Sequence, residues 1–246
     1  MELPTYIALS RLSAQQRALD VTAANLANAS TPGFKASRVQ FSDWLSSQVG
    51  TNAPPGDRTV AYTQDRATYR EQQPGTLSHT SNPLDIAISG DGYFTVATPR
   101  GPRLTRAGHF SPQSDGTIGD LAGNKLLDAA GQPLRLSPTD ASITITADGS
   151  ISTESGPVGR IGVVQPADLN RMTAEGAQDL RADTPTTPVA QPKVVQGATE
   201  DSNVQPIIET TQMMDDLRSF QFTSQFIQSE ADRMQSAIDK ITGSKA

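Results

Sequence analysis

The chain contains no cysteine and few aromatic residues. Aromatic residues make up 5% of its 246 residues, and hydrophobic residues make up 35%. The absence of cysteine excludes disulfides, thiolate metal ligands and cysteine nucleophiles. A low apolar content at this length predicts that part of the chain is extended or polar and has no core of its own. The length is enough for one large domain or two small ones.

Positive charge is also scarce. The sequence has 20 Lys and Arg residues against 26 Asp and Glu residues, and its net charge is −6. Without a basic block it lacks the electrostatic footprint of a nucleic-acid binder and the polybasic patch that anionic membranes attract. No stretch approaches the roughly 20 apolar residues of a membrane helix. The first residues lack the positive start and apolar run of a secretory signal, so composition alone predicts a cytosolic protein without a membrane span.

Patterns that carry chemistry are missing as well. His79 and His109 are the only histidines, and we expect each to satisfy a local hydrogen bond. No H-E-x-x-H, G-x-S-x-G or P-loop spacing occurs, and the Gly-Asp-Gly run at 90–92 is predicted to be a hairpin turn. We therefore predict no catalytic, metal or cofactor site and no small-molecule substrate. An enzyme such as a wall hydrolase stays an alternative, because catalytic groups need not be neighbours in sequence.

Helical periodicity is prominent at both ends. Apolar residues recur at alternating spacings of three and four over residues 4–29 and again, across four heptads, over residues 204–242, as in the seam of a coiled coil. The N-terminal seam consists of Leu9, Leu12, Gln16, Leu19, Ala23 and Leu26. The C-terminal seam consists of Met213, Leu217, Phe220, Ser224, Ile227, Ala231, Met234, Ile238 and Ile241.

The predicted ends of these helices follow from local residues. Pro32 and Gly33 stop the first helix, Ser202 or Asn203 can cap the second, and Pro206 suits its first turn. The second helix would be roughly 58 Å long. A lone small domain rarely needs a helix of that length. Two helices with one apolar stripe of mixed quality have a free energy of folding near zero in isolation, so we predict that both ends are poorly ordered in the free monomer.

The face of the second helix that carries Phe222 and Phe226 differs from its seam. One interpretation is an ordinary intramolecular helical hairpin with a few exposed aromatics. The other is that one face pairs the two ends of the chain and the other face meets neighbouring subunits.

Between the helices, short β-type runs alternate with turn signals. The fold class predicted is α+β, with paired terminal helices in a coiled-coil-like layer and an all-β antiparallel middle domain, sandwich-like or barrel-like. The predicted divisions are a helix in 1–35, a linker or extended loop in 36–75, a β domain in 76–165, a Pro/Thr-rich connector in 166–201 and a helix in 202–246.

Four stretches resemble the flagellar basal-body rod and hook protein family. The run ANLANASTPGFK at 24–35 resembles the family's N-terminal signature, and Ser202-Asn203-Val204 followed by Glu209 and Met213 resembles its C-terminal signature. The runs NPLDIAI at 82–88 and LTRAGHF at 104–110 are similar to its central region. The matches span nearly the whole chain in the family's order.

The resemblance implies a structural subunit of a helical filament. Within the family, the length and middle region favour the proximal rod, with the distal rod or another axial protein as the alternative. It implies a place in the periplasmic part of the basal body, reached unfolded through the flagellar type III export apparatus without a cleaved signal. Its partners would be other rod proteins and copies of itself, in a shaft that transmits torque. An unrelated coiled-coil binding module with a β head is the remaining alternative.

The assembly interface predicted from the seams and the signatures lies at both ends of the chain. It comprises Leu12, Leu19, Asn25, Leu26, Asn28, Gly33, Phe34, Asn203, Met213, Leu217, Phe220, Phe222, Phe226, Ile227, Met234 and Ile238.

Overall fold

The computed structural model describes residues 3–47, 59–137, 140, 142–176 and 178–243. The chain divides into two units. The helical unit consists of Met1–Leu26, Ser37–Tyr69 and Gln205–Ala246, and the β unit consists of Ala27–Ala36 and Arg70–Val204. The α+β class with helices at both ends and antiparallel strands between them is confirmed.

The helical unit contains two helices and one strand pair. Helix α1 spans Leu3–Ala27 and helix α2 spans Pro206–Gly243, while strands β1 (Ser37–Ser47) and β2 (Thr59–Arg70) form a two-stranded sheet. The predicted end of α1 before Pro32, the place of Pro206 in the first turn of α2 and the end of α2 at Gly243 are confirmed. Neither helix has an apolar stretch of the length that a membrane crossing requires.

The covered stripe of each helix coincides with the predicted seam at only one position per heptad. In α1 the stripe is Ala8, Leu12, Gln15, Leu19, Thr22 and Leu26, all buried or half-buried. In α2 it is Glu209, Met213, Asp216, Phe220, Thr223, Ile227, Glu230 and Met234. The predicted seam residues Leu9 and Leu217 are exposed instead.

Small and hydroxylated residues replace large apolar ones along these stripes. Thr22 and Thr223 are buried, and each hydroxyl donates to the carbonyl oxygen four residues earlier, that of Ala18 or Ser219, at 3.0 and 2.9 Å. A threonine satisfied in this way can be buried without an unpaired polar atom. The helical periodicity at both ends is therefore confirmed, whereas predicted seam positions such as Leu9 and Leu217 lie one residue away from the covered stripe.

The β unit consists of sixteen described strands. They are β3 (Leu77–His79), β4 (Ile86–Ile88), β5 (Tyr93–Thr98), β6 (Gly101–Thr105), β7 (Ser111–Pro112), β8 (Ile118–Gly119), β9 (Lys125–Leu126), β10 (Ile143–Ile145), β11 (Ser150–Thr153), β12 (Gly156–Arg160), β13 (Val163–Pro166), β14 (Met172–Ala174), β15 (Leu180–Ala182), β16 (Thr186–Pro188), β17 (Val194–Gln196) and β18 (Ala198–Glu200).

The largest sheet is built around β5. Its path runs β14-β15-β6-β5-β9-β8-β7, and β13 pairs both β5 and β16. Three smaller sheets are β10-β11-β12, β17-β4 and β18-β3. Phe94 and Phe110 form the centre of the main core, with ring centroids 5.6 Å apart and planes at 89°. This edge-to-face arrangement is favourable for two buried rings.

Two stretches predicted to be irregular contain strands. The predicted linker includes β1 and β2, and the predicted connector includes β14 to β18. Their sequences are rich in Thr, Gln and Arg. Strands β15, β17 and β18 of the connector pair with the distant strands β6, β4 and β3, whereas β1 and β2 pair with each other. Local composition carries little information about such long-range pairing. The predicted domain boundaries stay a prediction.

Candidate assembly site

Asn25, in the last turns of α1, joins three segments of the helical unit. Its Nδ2 donates to the Ser37 carbonyl oxygen at 2.9 Å, and its Oδ1 accepts from the Ser37 backbone N–H at 2.8 Å. The same Nδ2 lies 3.2 Å from Glu209 Oε2 in the first turn of α2. One buried amide thus fixes the end of α1, the start of β1 and the start of α2 together.

Glu209 is a fully buried carboxylate that is held by two partners. Arg38 Nη1 lies 2.6 Å from its Oε1, and Asn25 contacts the other oxygen. A buried charge is tolerated only when it is paired and hydrogen-bonded. An acidic residue in the first turn of α2 also faces the positive end of the helix dipole.

A second fully buried carboxylate, Glu200, lies in the β unit. It accepts from Lys35 Nζ, from Arg106 Nη1 at 2.9 Å and from the Gly75 N–H at 2.9 Å. Burial lowers the pKa of the Lys35 ammonium below its ordinary value, and the hydrogen bond to Glu200 partly offsets that effect. Lys35 and Arg106 thus share one buried carboxylate.

Arg106 has further partners that are neutral. Its Nη1 and Nη2 donate to the carbonyl oxygens of Ile88 and Gly90 at 3.2 and 2.6 Å. Its guanidinium also lies 5.2 Å from the ring centroid of Tyr93, a cation–π distance. Burial raises the pKa of the Tyr93 hydroxyl, so the ring stays neutral beneath the cation at physiological pH.

The Gly33–Ala36 segment, which follows α1, lies against this cluster. Gly33 has φ of +72°, and a Cβ placed on it would lie 2.4 Å from the Arg106 carbonyl carbon. Its N–H donates to the Glu200 carbonyl oxygen at 2.7 Å. Only glycine fits a positive φ together with such a close backbone approach.

Asn203, in the C-terminal part of the chain, binds the Gly33–Ala36 segment. Its Oδ1 accepts from the Ala36 N–H at 2.7 Å, and its Nδ2 donates to the Gln73 carbonyl oxygen at 3.0 Å. The Asn203 N–H donates to the Phe34 carbonyl oxygen at 3.3 Å. The predicted capping of α2 by Ser202 or Asn203 is therefore wrong, because the Asn203 side chain binds residues 36 and 73 and the Ser202 hydroxyl accepts from the Val204 N–H.

Several large apolar side chains of α2 are exposed among the described residues. Phe222 is 75% exposed. The other exposed large apolar residues of α2 are Ile207, Ile208, Met214, Leu217, Phe226, Ile238 and Ile241. An apolar surface of this kind on a single helix is typical of a binding face.

The predicted interface residues fall into three groups. Leu19 and Asn25 are buried. Half-buried positions are Leu12, Leu26, Asn28, Gly33, Phe34, Asn203, Met213, Phe220, Ile227 and Met234. Leu217, Phe222, Phe226 and Ile238 are exposed. Asn28 closes the turn after α1 by accepting from the Thr31 hydroxyl at 3.2 Å.

Sequence reasoning did not identify the roles of the charged residues Lys35, Arg38, Arg106 and Glu200. The ion-pair partners in the β unit are 94 and 165 positions apart in sequence. A charged residue beside a strand gives no local sign that it will be buried. The one available signal was that Lys35, Arg106 and Glu209 lie within the stretches that carry the family resemblance.

The described residues hold no group of three or more His, Asp or Glu side chains placed to bind a metal ion. His109 instead contacts Asp85, with Nδ1 2.7 Å from Oδ1.

Comparisons with known protein families match three regions of the chain. Residues 6–35 match the profile of the flagella basal body rod protein family. Residues 87–153 match the flagellar hook protein FlgE/F/G D1 domain, and residues 195–240 match the C-terminal region of the flagellar basal body rod FlgEFG proteins.

Whole-length relatives carry related names. A flagellar basal-body rod protein FlgF of Mesorhizobium japonicum is 36% identical, with 100% of both chains covered. A FlgF of Caulobacter vibrioides is 32% identical with 98% of both chains covered. The basal-body rod protein FlgG of Bacillus subtilis is 32% identical, with 95% of this chain and 97% of that protein covered.

The family resemblance predicted from the sequence is confirmed by these matches. The residues that fix the ends of the two helices lie within the matched terminal regions. They are Asn25, Gly33, Lys35, Asn203 and Glu209. The chain belongs to the flagellar basal-body rod protein family, a family of structural proteins of the flagellar basal body.

Proposed function

We propose that this protein is a structural subunit of the proximal rod of the flagellar basal body. In this proposal α1 and α2 pair as a coiled-coil-like layer, and the outer face of α2 contacts neighbouring subunits. The role is mechanical: the assembled subunits form part of the shaft that transmits torque. Whole-length relatives named FlgF at 31–36% identity support the proximal position over the distal rod.

The observation that carries this proposal is the exposed apolar face of α2. The contact between Asn25 and Glu209 brings α1 and α2 together, and each helix has a covered stripe. Phe222, Phe226 and Ile207 of α2 nevertheless remain exposed. Burying each such side chain contributes roughly 1.5–3 kcal/mol. A subunit interface is the simplest way for a structural family member to gain that free energy.

The predicted interface residues take two roles under this proposal. Asn25, Asn28, Gly33, Phe34 and Asn203 set the geometry at the ends of the two helices. The covered residues hold the helices together, namely Leu12, Leu19, Leu26, Met213, Phe220, Ile227 and Met234. Leu217, Phe222, Phe226 and Ile238 meet neighbouring subunits, either copies of this chain or other rod proteins. Heterologous contacts of this kind, whose rotation does not close, build a helical tube.

The route and place proposed for the subunit come from the family resemblance. It passes unfolded through the flagellar type III export apparatus and assembles in the periplasmic part of the basal body. A chain with no cysteine suits this route, because no disulfide can form before the subunit reaches its place.

Deletion and truncation of the gene test the proposal. Deleting the gene should abolish swimming and the filament while inner-membrane components of the basal body remain. The full chain should restore both, and a chain lacking residues 205–246 should be absent from purified basal bodies. Recovery of swimming by the truncated chain would contradict the proposal. In pull-downs with neighbouring rod proteins, binding to distal neighbours alone would favour the distal rod.

A further inference from the structure

Ala36 is fully buried in the β unit and connects two distant parts of the chain. Its carbonyl oxygen accepts from the Glu71 N–H at 2.8 Å, and its N–H donates to Asn203 Oδ1 at 2.7 Å. Strand β1 begins one residue after Ala36, β2 ends one residue before Glu71, and α2 begins three residues after Asn203. We call Ala36, Glu71 and Asn203 the anchor, because they hold together three segments of the β unit that lead directly into the helical unit.

The chain that follows α1 is held at the same place. Helix α1 ends six residues before Gly33, whose N–H donates to the Glu200 carbonyl oxygen at 2.7 Å. Lys35 Nζ donates to the Glu200 carboxylate and to the Gln73 carbonyl oxygen, the latter at 2.9 Å. The same Gln73 oxygen accepts from Asn203 Nδ2 at 3.0 Å. All of these residues belong to the β unit, so its folding holds the chain from α1 close to the chain that leads into α2.

This proximity shortens the loop that must close when the two helices pair. Asn25 and Glu209 meet across 184 positions of the sequence. Once Ala36 is bonded to Asn203, only the stretches between each of these residues and the helix contact, about 17 positions in all, still have to be ordered. The entropy of closing a loop of n residues grows as about 1.5R ln n, so a folded β unit favours the contact between Asn25 and Glu209 roughly 30-fold.

The contact lies at the end of α1 and in the first turn of α2. The two helices are antiparallel, because Ala8 of α1 and Phe226 of α2 also line one groove. Among the described residues, the most completely buried residue of α1 is Asn25, at 1%, and that of α2 is Glu209, at 0%. The helix pair is therefore most fully packed at the end that follows the anchor in the sequence.

We propose that the β unit is a folding template for the helical unit. It folds first, and α1 and α2 then pair from Asn25 and Glu209 towards Leu3 and Gly243. The first turn is the costly step of helix formation, and it forms where the two segments are already close and where Asn25 and Arg38 bind Glu209. The poor order predicted for the ends of the free chain is then graded, with the highest order beside the anchor. This inference concerns the isolated chain and does not depend on the proposed function.

Hydrogen exchange of the purified full chain, measured at dilute concentration from milliseconds to minutes, tests the direction of pairing. The protection factors of backbone N–H groups in 20–27 and 210–217 are expected to be several-fold higher than those in 7–14 and 234–241. These stretches leave out the first turn of each helix, whose N–H groups lack partners within the helix. Equal protection at the two ends of either helix, or higher protection at the ends far from the anchor, would overturn the proposal.

Replacing Asn203 by alanine tests the anchor itself, since it removes the acceptor of the Ala36 N–H. Asn203→Ala is expected to lower the protection of the stretches beside the anchor several-fold. The matched control is Asn124→Ala, because Asn124 is buried elsewhere in the β unit and its Nδ2 donates to Asp120 at 2.8 Å. The control should leave the protection of both helices unchanged. Equal losses of helix protection in the two variants would overturn the role of the anchor.

A longer connector tests the loop argument by magnitude. An insertion of about 20 Gly and Ser residues between Val204 and Gln205, just before α2, is expected to lower the protection of 210–217 about threefold. The same insertion between Glu154 and Ser155, in the exposed turn between β11 and β12, is the control and should leave both helices unchanged. Unchanged protection after the first insertion would overturn the proposal, because helices that pair without a template do not depend on the length of this connector.

Discussion

Asn25 and Glu209 are 184 positions apart in sequence, and Asn25 Nδ2 donates to Glu209 Oε2 at 3.2 Å. The contact brings the end of the first helix and the beginning of the last helix into one polar cluster with Ser37 and Arg38. A side-chain amide that uses both its donor and its acceptor in a buried site specifies one arrangement of three segments. This arrangement holds the end of α1 beside the start of α2.

Replacing Asn25 by alanine should destabilise the protein by about 1–3 kcal/mol, because the backbone N–H and carbonyl of Ser37 lose their partner. Urea unfolding of the purified chain measures the change. The control is Gln16→Ala, an exposed position of the same helix, which should change stability by no more than about 0.5 kcal/mol. Equal effects of the two substitutions would show that the Asn25 cluster does not hold the helix ends.

Glu200→Ala should cost about 3–5 kcal/mol, since it leaves the buried cations of Lys35 and Arg106 without their shared carboxylate. Glu154→Ala, at an exposed position of the β unit, is the matched control and should be nearly neutral. Denaturant midpoints at one pH compare the two. A Glu200→Ala protein as stable as the control would mean that the cluster contributes nothing to folding.

Gly33→Ala should be far more damaging than Gly131→Ala. Both glycines have positive φ, +72° and +80°, so both substitutions incur strain of about 1–2 kcal/mol. A Cβ at Gly131 meets nothing within 4 Å, whereas a Cβ at Gly33 would clash with the Arg106 backbone. The difference between the melting temperatures of the two variants measures the destabilisation that the clash adds to the backbone strain. Similar melting temperatures would contradict the close approach.

The turn between β10 and β11 should contribute to acid sensitivity. Hydrogen bonds from the Thr146 hydroxyl and the Ser150 hydroxyl lower the pKa of Asp148 from 3.8 to about 2. The lowered value means that the ionised carboxylate favours the folded state. Its contribution is fully present above about pH 3.8 and is lost as the pH falls through about 2.

Asp148→Asn should therefore flatten part of the pH dependence of unfolding in that window and leave the rest unchanged. Melting temperatures measured between pH 2 and pH 5 check this. An unchanged pH profile in the variant would show that Asp148 titrates alike in the folded and unfolded chain.

Sequence periodicity identified both terminal helices and one covered position per heptad. The predicted seam positions Leu9 and Leu217 were wrong, because a large apolar residue in a helical pattern predicts burial and both side chains are exposed. The structure instead covers Thr22 and Thr223, whose hydroxyls bond within their own helix. A hydroxyl that finds its acceptor within the same helix cannot be distinguished by residue type from one that faces water.

The charged clusters could not be predicted for a different reason. Glu200, Lys35 and Arg106 come from separate parts of the chain and meet only when the β unit folds. Turn glycines, in contrast, were predictable, since Gly116, Gly123, Gly131 and Gly149 all have the positive φ that their turn positions favour. Turns therefore follow local residues, whereas long-range pairing determines strands β15, β17 and β18 in the predicted connector.

The proposed interface of α2 is tested by the copy number of Phe222→Asp in purified basal bodies, compared with that of Leu121→Asp. Both residues are exposed, by 75% and 79%, and belong to the helical unit and the β unit respectively. Both variants should fold with stability changed by about 0.5 kcal/mol or less. Phe222→Asp should be lost from basal bodies and its cells should not swim, whereas Leu121→Asp should be retained; normal copy number and swimming for Phe222→Asp would contradict the proposed role of the α2 face.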